Sequence, residues 1–245
     1  MTDIRIFEVG GSIRDELMGI TDIPDRDFCA ESPEGWEALL AWCHANMKRV
    51  FLVTPEFFTV RGMMHTGDSI DVVMCRKDGP SSDGRHPDEV EPGTLRDDLN
   101  RRDFTMNALA REVNPETLEP IGEIIDLWGG EEDIRHHSLR TVGNANDRFE
   151  EDGLRILRAA RFCVTKDVRP TPSVAAAMKD PKWWEFVMKT VSVDRVRVEL
   201  HKMFSHSTVD AIRFLTNDCA HDALACMFGS DEKGSLWMKP TLEKK

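Results

Sequence analysis

Along the first 130 residues, apolar positions recur in short, strand-like runs broken by turn residues. Arg5–Val9 alternates toward a strand and stops at Gly10–Gly11, where Ser12 is placed to cap a short helix, Ile13–Met18, ending at Gly19. Asp27–Ala30 reads as a second short strand. Pro33 opens a helix to about Asn46, with Trp36, Leu39, Leu40 and Cys43 on one face. Val50–Val53, Phe57–Arg61 and Ile70–Met74 read as further strands, with turn residues between them. Residues 78–94 hold Gly, Pro, Ser and acid with no apolar period and are expected to form a loop. Beyond about residue 130 the period changes to that of helices, at 151–164, 172–180, 192–205, 208–216 and 220–228. The pattern predicts an α+β chain: a small mixed sheet with helices over 1–138, an all-helical segment over 139–230, and a polar tail over 231–245.

Composition narrows the class. The 245 residues are 40% hydrophobic and 31% charged, as in ordinary globular proteins. No run of 18 apolar residues occurs, so no membrane span is expected, and Met1–Ser12 has no charged-then-apolar leader. The six cysteines form no C-x-x-C pair and no zinc spacing with histidine. They read as reduced, buried thiols of a cytoplasmic protein. The net charge of −12 is unevenly spread. Residues 1–135 carry 29 acids against 14 bases, a net of −15; residues 136–245 carry 15 against 18, a net of +3. The acidic half is where a divalent-cation site would gather carboxylates, and the mildly basic half could face phosphates; acidity that only keeps the protein in solution explains the charge equally well.

Three stretches carry candidate chemistry. GGSIRDELMG puts two glycines after a strand and before a helix, where backbone N–H groups face an anion and Arg14 can reach it; a plain tight turn explains the glycines equally well. Asp25-Arg26-Asp27 follows. On a strand, residues two apart share a face, and two carboxylates there suit Mg²⁺, although an isolated D-x-D is common. Asp71 opens the apolar run DVVM and is a candidate third carboxylate. RRDFTMNALA, residues 101–110, sets Arg101 and Arg102 where they could bind phosphate, and Asp103 and Asn107 where they could bond a ribose hydroxyl; by itself it reads as an anion site near the core or as a surface ion-pair cluster. RFEEDGLRILRAARF, residues 148–162, placed on one helix, sets Glu151, Asp152, Arg155 and Arg158 on one face and Ile156, Leu157, Ala160 and Cys163 on the other. Such a face can offer donors and acceptors to a base edge, or be a row of solvated ion pairs. VSVDRVRVELHKMF repeats the design, with Arg195, Glu199 and Lys202 opposite Val193, Val196, Leu200 and Met203.

Together these stretches resemble the tRNA nucleotidyltransferase/poly(A) polymerase family of bacterial type, a class II branch of the DNA polymerase beta superfamily. GGSIRDELMG…DRDF resembles its G-G-x-V-R-D…D-x-D, DGRHP (residues 83–87) its mobile catalytic loop, and RRDFTMNALA its R-R-D-F-T-x-N-A. IIDLWGGEEDI (residues 124–134) resembles the segment that closes the head, EDGLR the E-D-x-x-R base-recognition motif, and DRVRVEL the E-R-x-R-x-E motif. The order is the family's, over roughly residues 5–205. The resemblance implies a DNA polymerase beta-like nucleotidyltransferase head followed by a helical neck. It implies Mg²⁺ on Asp25 and Asp27, with Asp71 as a possible third ligand. It implies triphosphate on Gly10, Gly11, Ser12 and Arg14, and phosphate and ribose on Arg101, Arg102, Asp103 and Asn107. Asp152 and Arg155 would pair with the incoming base, supported by Arg158 and Arg161.

The implied activity is template-independent addition of CMP and AMP, from CTP and ATP, to the 3′ end of tRNA. Poly(A) polymerase or A-adding activity is the alternative. A non-catalytic RNA- or nucleotide-binding module and a small-molecule nucleotidyltransferase are rivals from other classes. Asp194 stands where the family usually has Glu, and Ser81 where the mobile loop often has an aromatic. Family members also continue into further helical domains that grip the tRNA, whereas little follows residue 230 here. No sequence signal speaks to oligomeric state.

Overall fold

The computed structural model describes residues 3–22, 26–79, 89–221 and 223. They form two compact units, the first ending at His136 and the second beginning at His137. The first unit contains β1 (Arg5–Val9), α1 (Gly11–Leu17), β2 (Asp27–Glu31), α2 (Trp36–Asn46), β3 (Met47–Thr54), β4 (Thr59–Met64), β5 (Ser69–Met74), β6 (Arg76–Asp78), β7 (Val90–Pro92), α3 (Leu95–Asn100), β8 (Leu109–Val113), β9 (Pro120–Asp126) and α4 (Gly130–Arg135).

Seven of these strands make one sheet in the order β3-β4-β5-β2-β1-β8-β9. The β2–β5 pair is parallel and the other neighbours run antiparallel. A parallel pair needs a long crossover, and α2, β3 and β4 supply it. Alternation along the strands sends two sets of side chains to opposite faces. Ile6, Phe28 and Val72 pack with Leu39, Trp42 and Cys43 of α2. Phe7, Val9, Cys29 and Ala110 pack with Leu95 and Leu99 of α3. Each fully buried leucine of this kind contributes about 2 kcal/mol of transfer free energy. The sheet is thus held between helices, and its strand ends carry the polar chemistry.

Several expectations need correction. Ser12 does not cap α1: the helix starts at Gly11, its N-cap is Gly10, and Ser12 is buried within the first turn. The helix expected from Pro33 begins three residues later, after Gly35, whose positive φ of 65° breaks the backbone. The expected loop 78–94 is in part a hairpin, because β6 and β7 pair across it; 80–88 lie outside the described residues, and with them Ser81 and the DGRHP segment.

The second unit holds β10 (Ser138–Leu139), α5 (Ala145–Glu151), α6 (Leu154–Thr165), β11 (Arg169–Pro170), α7 (Pro172–Met178), α8 (Pro181–Thr190), α9 (Val193–His206) and α10 (Thr208–Asn217). It is helical apart from the two-residue parallel pair β10–β11. Phe149, Ile156, Leu157, Ala160, Trp184, Leu200 and Met203 are buried in its core. The helix α8 went unread in the sequence although Asp180 caps it through the Lys182 amide and Pro181 occupies its first position. The helix expected over 151–164 is α6, starting three residues later, and the stretch 148–162 placed on one helix is split between α5 and α6. Asp152 has extended angles (φ −147°, ψ 107°) between α5 and α6, and its Oδ1 accepts the Leu154 amide at 3.0 Å. A short acid capping the following turn outcompetes helical continuation. Most of the helix expected over 220–228, and the whole tail 231–245, lie outside the described residues.

Candidate active site

The register of the central strands gathers the first set of side chains. Asp27 pairs with Val9 on one side and with Asp71 on the other, and Asp71 pairs with Arg61. Residues paired in register share a face, so Arg61, Asp71, Asp27 and Val9 form one row across the sheet. Val9 is followed directly by Gly10–Gly11, which brings the paired-acid strand beside the glycine turn. Asp25 lies outside the described residues, and β2 begins only at Asp27, after Arg26. Of the acid pair in Asp25-Arg26-Asp27, only Asp27 is described, and it is the first residue of β2. Asp71 is not a buried acid. Its side chain is one-third exposed, and both its oxygens bond Arg61, at 2.6 and 2.5 Å. That pairing raises the pKa of Arg61.

Gly10 has φ +82°, and a Cβ there would lie 2.7 Å from Nη1 of Arg102. Its amide donates to the Leu109 carbonyl at 3.0 Å. The backbone angle requires glycine, and a side chain there would also displace the end of Arg102. Arg14 folds back from α1 and donates to Oδ1 of Asn107 at 2.5 Å and to Asp15 at 2.9 Å. Asn107 in turn donates to Asp103 at 3.0 Å, and Asp103 also accepts the Phe104 amide at 2.8 Å. Arg14, Asp103 and Asn107 are all buried. The glycine turn and the RRDFTMNALA stretch, some 90 residues apart, thus form one bonded network.

Arg101 and Arg102 are held from beneath by Asp98, a fully buried acid of α3 that sequence reading passed over. Its Oδ1 accepts from Arg101 at 3.1 and 2.5 Å, and its Oδ2 from Arg102 at 3.1 and 2.9 Å. Burial pushes the Asp98 carboxyl up, but the charges of Arg102 and Arg101 outweigh it and hold the group below its ordinary value. The signal was present: an acid three and four residues ahead of two arginines on a helix makes both favourable spacings. Thr105 donates to Asp133 of α4 at 2.6 Å, another buried pairing not foreseen.

In the second unit, Asp152 is held at both oxygens, by the Leu154 amide and by Arg195 Nη2 at 2.9 Å. Arg155 donates to Glu151 at 2.6 Å and to the Arg148 carbonyl at 3.1 Å. Arg158 and Arg161 both pair with Glu199 of α9, Arg161 through a very short bond. Glu199 is buried, not on an exposed face with Arg195 and Lys202 as the periodicity predicted. The inward-facing set Ile156, Leu157, Ala160 and Cys163 is buried as expected. Asp194, the shorter acid of its motif, is exposed and pairs with Arg197 at 2.8 Å.

Residues 6–140 match the family described as the poly A polymerase head domain. The chain belongs to this family. It is 37% identical over 215 residues to the CCA-adding enzyme of Oceanobacillus iheyensis, covering 85% of this chain and 48% of that protein. The crystal structure of the Bacillus stearothermophilus CCA-adding enzyme in complex with CTP superposes with a TM-score of 0.70 at 30% identity, covering 89% of this chain and 49% of that one. The Thermotoga maritima CCA-adding enzyme complexed with tRNA superposes with a TM-score of 0.70 at 26% identity, over 92% and 48%. The chain spans about half the length of the relatives it matches.

For this poly A polymerase head-domain protein, the donor chemistry can be set against a divalent cation. Asp27 and Asp71 supply carboxylate oxygens on one sheet face, the donor type Mg²⁺ prefers. No group of three or more His, Cys, Asp or Glu among the described residues converges on a single metal position, and Asp25 falls outside them. Among the described residues, Asp27 is the carboxylate placed to hold such a cation, with Asp71 beside it in register. Asp71 joins only if Arg61, whose side chain is more than half exposed, releases it.

Proposed function

We propose that this chain is a template-independent RNA nucleotidyltransferase that adds CMP and AMP, from CTP and ATP, to the 3′ end of tRNA. The first unit is the catalytic head over about residues 1–138, and the second, over about 139–230, is the neck that binds nucleotide and RNA. One observation carries this reading: the register that sets Asp27 beside Asp71 and across from Val9, one residue ahead of the Gly10–Gly11 turn. Family membership and relatives that are CCA-adding enzymes support it.

In this reading Asp25 and Asp27, with Asp71 in reserve, hold Mg²⁺, which would favour the ionised 3′-hydroxyl and offset charge on the leaving pyrophosphate. Gly10, Gly11, Ser12 and Arg14 line the triphosphate position. Arg101, Arg102, Asp103 and Asn107 contact phosphate and ribose, held in place by the Asp98 and Arg14 bonds. Asp152 and Arg155 present acceptor and donor groups to the base, with Arg158 and Arg161 fixed behind them by Glu199. For Asp152 and Arg155 to read a base, they must exchange part of the bonding to Arg195 and Glu151 for bonds to the nucleotide. The described cysteines, buried thiols all, suit a cytoplasmic protein.

The test is incubation of the purified chain with tRNA lacking its 3′ CCA, supplying CTP and ATP separately and then together. Incorporation of CMP first, and AMP only after it, is expected. Incorporation from ATP alone into any RNA would instead mark an A-adding or poly(A)-type enzyme. Labelling of no RNA at all would leave a binding module.

A further inference from the structure

Glu8 is a buried acid inside the apolar strand β1, between Phe7 and Val9, and neither the family motifs nor the reading above uses it. Its register partner on β2 is Phe28, so it faces the side of the sheet opposite Val9 and Asp27. There it accepts two bonds from Arg26, Nε at 2.9 Å and Nη2 at 2.8 Å. Arg26 is the residue immediately before Asp27. Its Nη2 also donates to the Leu118 carbonyl at 2.9 Å, and its guanidinium lies 5.0 Å from the centre of the Phe28 ring. Arg111 of β8 closes the group from the other side, with Nη2 3.1 Å from Glu8 and 2.8 Å from Glu16.

The arrangement holds the first turn of chain into β2 by its side-chain grip on Arg26. Fixing Arg26 on one face obliges the next residue, Asp27, to emerge on the other, beside Asp71. A two-point Arg–carboxylate bond restricts rotation in a way one hydrogen bond does not. Burial pushes the Glu8 carboxyl up, but the bonds and charge of Arg26, together with Ser12 and the bond from Arg111, keep the group below its ordinary value, ionised at neutral pH.

We propose that Glu8 is a positioning residue for the metal-binding carboxylate Asp27, acting through its two-point bond to Arg26. The proposal rests on the nucleotidyltransferase reading above. It differs from a plain stabilising ion pair because the held residue is peptide-bonded to the metal-binding one. Groups that hydrogen-bond a ligand directly alter metal affinity about 10- to 100-fold when removed, and the same scale is expected of this group acting through the backbone.

The experiment measures Mn²⁺ binding to the full chain by electron paramagnetic resonance, without nucleotide, beside thermal melting and the Mg²⁺ dependence of nucleotide incorporation. The proteins are wild type, Asp27→Ala, Glu8→Gln, Arg26→Lys and the double variant Glu8→Leu/Arg26→Leu. The double variant removes both charges of the pair together, so neither is left buried without the other, and Arg111 keeps its bond to Glu16. Arg26→Lys, at a partly exposed position, keeps the charge but not the two-point geometry and serves if Glu8→Gln does not fold. The proposal expects Mn²⁺ affinity to fall about 10- to 100-fold in each Glu8 or Arg26 variant that folds. It also expects the double variant to regain melting temperature without regaining metal affinity. Wild-type Mn²⁺ affinity in a folded variant, or affinity that returns together with melting temperature in the double variant, overturns it. Equal binding by wild type and Asp27→Ala overturns the metal-site reading itself and the proposal with it, a result distinct from an unaffected Glu8 variant.

Discussion

Replacing Asp98 by alanine should cost the first unit about 3 kcal/mol, a large part of the 5–15 kcal/mol that stabilises a typical domain. The side chain is 1% exposed and receives four N–H bonds from Arg101 and Arg102. Removing one partner of a buried charge pair costs about 3–5 kcal/mol, because the other charge is left without compensation. Here the lower end applies: the Arg101 and Arg102 side chains remain 26% and 20% exposed and can recruit water. Asp98→Asn keeps the volume and one acceptor oxygen, and about half of that loss is expected. With a guanidinium slope of about 3 kcal/mol/M, the alanine variant should unfold about 1 M earlier. Because the chain has two units, the midpoint is best read from hydrogen exchange of β1 and β8 amides, which belong to the first unit alone. The pH dependence follows from the lowered Asp98 pKa. A depressed carboxylate adds stability that is present above its unfolded value, about 3.9, and is lost as pH falls through the folded value. The wild type should therefore lose more stability than Asp98→Asn on acidification below about pH 4. A loss under 1 kcal/mol for Asp98→Ala, or parallel acid profiles, would refute the view that this acid anchors the two arginines.

Three further outcomes are expected. Asp25→Ala or Asp27→Ala should abolish nucleotide incorporation while nucleotide binding, measured by fluorescence titration, largely survives; retained activity would remove the metal assignment. Arg155→Ala should chiefly weaken the choice between CTP and ATP, read from competing kcat/KM values, and unchanged selectivity would count against base reading by this side chain. Gly10→Ala should destabilise the first unit by at least about 1–2 kcal/mol from the left-handed backbone alone and displace Arg102 besides, since the added carbon would lie 2.7 Å from its Nη1. A melting temperature equal to wild type would show that the turn is not held as described.

Much of the fold was legible because period and turn chemistry are local. β1, β2 and β5 follow the apolar runs read for them, and α9 and α10 match the expected spans to within a residue. The buried set Ile156, Leu157, Ala160 and Cys163 follows from helical spacing alone. The failures have physical causes of their own. A single helix drawn through 148–162 ignored how readily the Asp152 side chain bonds the backbone amide two residues on, which breaks the helix there. The surface assigned to Glu199 came from a helical wheel, which shows where a side chain points on its own helix but not that α6 brings Arg158 and Arg161 to meet it.

Residue types, spacings and motif order along the chain were enough to determine an α+β head, a helical segment after it, and a family whose chemistry needs paired carboxylates and phosphate-binding arginines. Strand register, which couples positions far apart in sequence, was decided only by tertiary structure. It sets Asp27 beside Asp71, and the same folding brings Arg14 to Asn107 across 93 positions. Burial was decided there too. An acid costs too much to bury without a partner, so Glu8 and Asp98 persist in the interior only because the fold delivers Arg26, Arg111, Arg101 and Arg102 to them.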